Sequence, residues 1–188
     1  RLALMAGQVI ADGFLAISAE KQSRIEPVGR VLLKLARGLG VGDRLAKHSR
    51  SILEMAATQR WSDIRSELIK SQAEIEAGMI ALKDEEIAHL VSLGGWLRGL
   101  EITSSIVLED YTPERARRLI QPELFDYYSE RVQTLHPDFK ETELVKTMAA
   151  NLKAISALTS KAVDKPITKE EVKQIRELAR EINKKVPE

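Results

Sequence analysis

Apolar residues recur at helical spacing along almost the whole chain, and nowhere do alternating β-branched runs with paired turn residues last more than a few positions. In the first segment Leu2, Met5 and Val9 mark one side of a helix. Ala6, Ile10, Phe14 and Ile17 mark an adjoining one, which leaves Gln8 and Asp12 on a narrow polar strip. A helix apolar around most of its girth sits inside a bundle. Pro27 suits the first turn of a second helix, whose stripe is Val31, Leu32, Leu35 and Leu39. Gly38, Gly40 and Gly42 then end it, because glycine tolerates the left-handed C-terminal position. Asp43 caps a third helix that runs to about Gln59 with Leu45, Ile52, Leu53 and Ala56 inward. Ser62 or Asp63 caps a fourth, carried by Ile64, Leu68, Ile75, Met79 and Leu82.

A further helical pattern spans about Asp84 to Leu108 and is interrupted by Gly94-Gly95, while the polar Lys83-Asp84 step reads equally as a bend or an exposed face. Thr112-Pro113-Glu114 places a cap, a first-turn proline and an acid in the order that opens a short helix. Pro122 with Glu123 starts another, which His136-Pro137 stops, since the residue before proline is pushed out of helical geometry. A long helix covers about Glu141 to Val163, Lys165-Pro166 breaks it, and Thr168 followed by Glu171 forms a capping box for a last helix ending near Lys184. The expectation is therefore an all-α, single-domain bundle over residues 1–188. It has about nine helical segments, mostly antiparallel to their neighbours because the connections are short. No internal sequence repeat of fixed period and no separating linker is evident.

Composition supports a folded chain. Of 188 residues 44% are apolar, and 29 Lys and Arg balance 28 Asp and Glu to a net charge of +1, unlike the low-apolar, one-signed composition of disorder. The absence of Cys removes disulfides, thiolate metal sites and cysteine nucleophiles. Leu2–Ile17 contains Gln8 and Asp12 and is too short for a membrane span, and Ile87–Leu108 carries His89, Arg98 and Glu101, each costly in lipid. No transmembrane segment is expected. An opening at Arg1 rather than Met, with no Cys, tilts the expectation towards a soluble exported or periplasmic protein over a cytoplasmic one.

Charge is locally uneven. Residues 21–50 hold eight bases against Glu26 and Asp43, and within them Arg30, Lys34 and Arg37 share a helix face suited to phosphate, nucleic acid or anionic lipid. A solvated face near the acidic 63–86 stretch is the plainer reading, for this cluster and for Arg115, Arg117 and Arg118 alike. With 4% aromatic residues there is little to stack on bases, which argues against a nucleic-acid partner. Glu86-Ile87-Ala88-His89 is a Glu-x-x-His spacing of the kind that di-iron bundles use, but those proteins need two such motifs and further inward glutamates, and His48 and His136 lack the matching Glu. No zinc-protease, phosphate-loop or nucleophile-elbow pattern occurs.

The most unusual segment is Ser92-Leu93-Gly94-Gly95-Trp96-Leu97-Arg98-Gly99. Each mid-helix glycine costs about 1 kcal/mol relative to alanine, so something offsets the loss. Gly95 and Gly99, four apart, either let another helix approach or open a groove beside Trp96. Tyr111, Phe125, Tyr127, Tyr128 and Phe139 form an aromatic group that fits a core or an interface equally. With no catalytic constellation, the sequence reads as a non-enzymatic binding or scaffolding module. Its surface lies at Gly94, Gly95, Trp96 and Gly99, and its partner is a small ligand or a protein. The alternatives are a metal-binding bundle using Glu86 and His89 and an anion or nucleic-acid binder using the 21–50 segment. The identity of any cofactor is left open, as is a homo-oligomer.

Overall fold

Regular structure in the computed structural model is entirely helical over the residues it describes, 1–81, 85–160 and 165–187. In chain order the helices are α1 (Leu2–Ser18), α2 (Gln22–Gly38), α3 (Gly42–Ala57), α4 (Trp61–Ala81), α5 (Glu85–Glu109), α6 (Pro113–Ala116), α7 (Pro122–Thr134), α8 (Pro137–Lys140), α9 (Glu143–Ser160) and α10 (Lys169–Lys185). A 3-10 turn at Arg117–Leu119 follows α6. The chain divides into two compact units, Arg1–Trp96 and Leu97–Glu188, with the division inside α5.

The first unit is built by one device used three times. Ala19–Lys21, Leu39–Val41 and Thr58–Arg60 join successive helices, and each turns on a residue in the left-handed region, Glu20 (φ 52°), Gly40 (φ 79°) and Gln59 (φ 57°). In all three the next N–H reaches back five residues in Schellman fashion: Lys21 donates to the Ala16 carbonyl, Val41 to Ala36 and Arg60 to Met55, each at 2.9–3.0 Å. The unit therefore has a structural period of about twenty residues with no residue identity behind it. Only one of the three turns carries the glycine by which such a turn is recognised. That is why α2 begins at Gln22 rather than near Pro27, which lies inside the helix. Proline there removes the N–H that the Ser23 carbonyl would accept.

Successive helices α1 to α4 pack on one another, and α4 returns to α1. Among the described residues apolar clusters form at two places. Ala3, Ala6 and Ile10 of α1 meet Leu32, Leu35 and Ala36 of α2 and Val91 of α5, while Ala16 and Ile17 meet Ile25, Ala56, Ile64 and Leu68. The side chains of Leu45, Ile75 and Met79, and residues Leu82, Lys83 and Asp84, lie outside what is described. α5 runs through Gly94-Gly95 without interruption because its glycines meet α1. A Cβ on Gly94 would fall 2.8 Å from the Leu4 carbonyl carbon, and one on Gly7 within 2.5 Å of the Gly95 nitrogen. Backbone touches backbone at this crossing.

In the second unit α9 packs against α7, α8 and α10. Phe125, Met148, Leu152, Ile155, Ile167, Val172 and Ile175 form its buried interior. The caps predicted at Thr112 and Thr168 are present: the Thr112 hydroxyl accepts from the Arg115 N–H at 3.2 Å, and Thr168 and Glu171 form the reciprocal box, whereas in the first unit Asp43 lies inside α3, whose N-cap is Val41, and Ser62 and Asp63 lie inside α4. The Tyr111 hydroxyl donates to the Ile167 carbonyl at 2.7 Å. The aromatic group splits, with Phe125 and Tyr128 in the core, Tyr111 and Tyr127 half-buried and Phe139 exposed.

The turns make a direct prediction. Gly40→Ala, forced to keep a positive φ, should lower stability by about 1 kcal/mol, whereas Gln59→Gly relieves the same strain and should not lower it. Urea unfolding of the two variants checks this, and a loss in Gln59→Gly as large as in Gly40→Ala would show that the left-handed conformation carries no strain.

Candidate functional site

Glycine closes one gap in the first unit and leaves another open. Between α1 and α4, Gly13 of α1 faces Val28 of α2 and Leu68 of α4, and a Cβ there would sit 3.2 Å from the Val28 Cγ1 and 3.4 Å from the Leu68 Cδ2. Around the same point Gly29 of α2 has nothing within 4 Å of a Cβ position. The result is a cavity of about 200 Å³. Its wall comes from Gly13 and Ile17 on α1, Ile25, Val28, Leu32 and Leu33 on α2, Ile52 and Leu53 on α3, and Leu68 on α4. Ser71 is its buried polar side chain, with the hydroxyl already donating to the Glu67 carbonyl at 2.8 Å. The charged lining residues are Glu26 and Arg30, both exposed, and they pair with each other one helical turn apart. An apolar interior with charge confined to the rim is the usual character of a small-molecule site.

Beside it, His48 joins α3 to α4. Its Nδ1 lies 2.7 Å from Glu67 Oε1 and its Nε2 3.0 Å from Glu74 Oε1, with the ring buried. Carboxylates only accept, so a ring bonded to both must donate from both nitrogens and is the imidazolium. Burial lowers the His48 pKa, but the hydrogen bonds to Glu67 and Glu74 and their charges outweigh it and hold the group above 6.5. The hydrogen bond from His48, opposed by burial and helped by the His48 and Lys70 charges, holds Glu67 below the usual carboxylate value. The sequence carried this signal in two glutamates seven apart on one helix face, although the Glu-x-x-His spacing does not select it.

A second buried carboxylate lies in the other unit. Glu101 of α5 accepts from Arg180 Nε at 3.0 Å, Asn183 Nδ2 at 2.9 Å and Arg98 Nη1 at 2.9 Å, and Asn183 also donates to the Leu97 carbonyl. Burial raises its pKa, but the bonds from Asn183 and Arg180 and the charge of Arg98 prevail and keep it low. Every oxygen is engaged by fixed donors, so this is a tie between α5 and α10 rather than a free acid.

The residues singled out from sequence fall as follows. Gly94 and Gly95 are filled by α1 and form no groove. Gly99, expected to share their role, faces open space, and Trp96 is half-buried. Closeness of the helices, rather than a ligand, explains the glycine pair. Arg30, Lys34 and Arg37 are exposed on α2, and of these Arg30 reaches the cavity rim. Glu86 is exposed, His89 is half-buried, and no group of three His, Cys, Asp or Glu that could hold a metal occurs among the described residues. No helix among them is long and apolar enough to cross a membrane. No protein-family model matches this chain, and no curated protein or solved structure is significantly similar to it.

Two predictions follow from this geometry. Gly94→Ala should cost about 3 kcal/mol or more, since both sides of the clash are backbone, while Gly99→Ala should gain up to about 1 kcal/mol from helix propensity. Thermal unfolding of the pair measures this, and equal effects would contradict the crossing. For His48, the folded state binds the extra proton between pH 6.5 and its raised folded value, so the stability it contributes is complete below 6.5 and is lost as pH rises through that value. Denaturant unfolding should show wild type losing its advantage over His48→Gln as pH rises above 6.5; a constant difference would mean that folding does not raise the His48 pKa, and an advantage that grows with pH would mean that the ring is neutral in the fold.

Proposed function

We propose that the first unit is a non-enzymatic binding module that holds a small apolar molecule in the cavity between α1 and α4. The observation that carries this reading is the cavity itself. Protein interiors pack at the density of organic crystals, so an apolar hollow of about 200 Å³, open to solvent at its mouth, forgoes packing contacts that larger side chains would make. A single alanine or leucine at Gly29 would recover much of that and would also strengthen the helix. The volume exceeds the roughly 150 Å³ of an apolar cavity that takes up benzene, so a single ring or a short alkyl chain fits.

The reading places the site away from the Gly94–Trp96 segment, whose glycines are spent on helix packing. It also makes no use of Glu86 and His89, since no group of three residues that could hold a metal ion occurs among the described residues.

The test uses toluene as probe. Wild type should gain thermal stability as toluene is added, by about 2.7 kcal/mol at a hundred times its dissociation constant. Gly29→Leu, which fills the space without meeting another atom at its Cβ, should be more stable alone and should lose the gain. No gain in wild type, or the same gain in Gly29→Leu, would refute the site.

A further inference from the structure

The ligand class can be narrowed by the mouth of the cavity, and this step rests on the cavity being a binding site. Arg30 lines that mouth and engages Glu26 through Nη2 alone, so among the described residues Nε and Nη1 have no acceptor, and one of the two donor forks that share Nη2 stays open. A guanidinium presents its donors in a planar fork and can hold two carboxylates at once, one on each edge. The Glu26 pair is exposed, and such pairs contribute so little that sharing Arg30 with a second anion disturbs nothing of consequence. Further along the same helix the exposed charges Lys34 and Arg37 are positive, as is Arg24 before it, so the field at the mouth favours a negative group over a positive one.

Inside the mouth the lining turns apolar at once. Leu33 and Leu53 flank it, and Leu32, Ile25 and Leu68 lie deeper. The geometry points to a single-chain amphiphile, with an alkyl or aryl body of about the size of octane in the cavity and one carboxylate on the open edge of Arg30. A lipid with two long acyl chains does not fit a space of about 200 Å³, which commits the inference to a free molecule rather than to a membrane surface.

Calorimetric titration of the full chain with hexanoate, octanoate, octanol and octylamine, all below their micellar concentrations, tests it. Octanoate should bind more tightly than hexanoate by about fourfold for each added methylene, the increment expected of buried CH₂ groups. It should exceed octanol by up to about fivefold and exceed octylamine by more. Arg30→Gln should erase the preference for octanoate over octanol. Arg37→Gln, outside the lining, should keep most of that preference. Raising the salt concentration should weaken octanoate and spare octanol.

Equal binding of octanoate and octanol, a preference for octylamine, or equal losses in Arg30→Gln and Arg37→Gln would each overturn the carboxylate assignment. The toluene result separates the two levels. If toluene stabilises wild type and octanoate does not bind, the cavity remains a site and the amphiphile is wrong; if neither binds, both fall. Binding of octanoate that Gly29→Leu does not abolish would place it elsewhere on the protein and would also overturn the inference.

Discussion

Contact between the backbones of α1 and α5 is the constraint on which the first unit depends. At Gly7 and Gly94 there is no room for a single methyl group, and at Gly95 one would meet the Gly7 carbonyl oxygen at 3.3 Å, so the two helices approach more closely than side chains would allow. α1 already has α2 and α4 as neighbours, and α5 takes up a further side. Its buried set, which includes Ala3, Leu4, Ala6, Ile10, Ala16 and Ile17, is therefore spread around the helix rather than gathered on one stripe. Small residues at the crossing and larger ones away from it are what such an enclosed helix requires.

The same residue type has opposite consequences a few turns away. Where a neighbouring backbone moves into the space that a glycine vacates, the result is tight packing, as at Gly94 with Leu4. Where the surrounding helices are held apart by their own side chains, the space stays empty, as at Gly29. Three equal turns fix the spacing of α1 to α4, and Pro27 prevents α2 from forming its full set of hydrogen bonds beside the cavity. The void is thus a product of geometry set elsewhere in the bundle, and the helices do not close it.

Each unit also contains a buried ion held between two helices, His48 of α3 with Glu67 and Glu74 of α4 in the first and Glu101 of α5 with Arg180 and Asn183 of α10 in the second. Desolvation cancels much of the attraction in such groups, so their net contribution to stability is small while the cost of removing one partner is large. They specify which faces meet. A slipped α4 would leave His48 without acceptors, and a rotated α10 would take from Glu101 the donors Arg180 and Asn183 and leave it Arg98 of its own helix.

Helix content, the caps at Thr112 and Thr168, and the central position of α1 were legible because they follow from local rules of periodicity and hydrogen bonding that a few neighbouring residues satisfy by themselves. The chain by itself also determined the absence of cysteine chemistry and the near-neutral charge. Other features had no local signature. Glu20 and Gln59 adopt a conformation that their side chains disfavour, and only the packing of the helices on either side holds them there. Tertiary structure alone decided which glycines close a contact and which open a cavity, because the outcome depends on what lies opposite. It likewise decided that His48, nineteen residues before Glu67, is charged, since that state requires two carboxylates from another helix to arrive at both ring nitrogens.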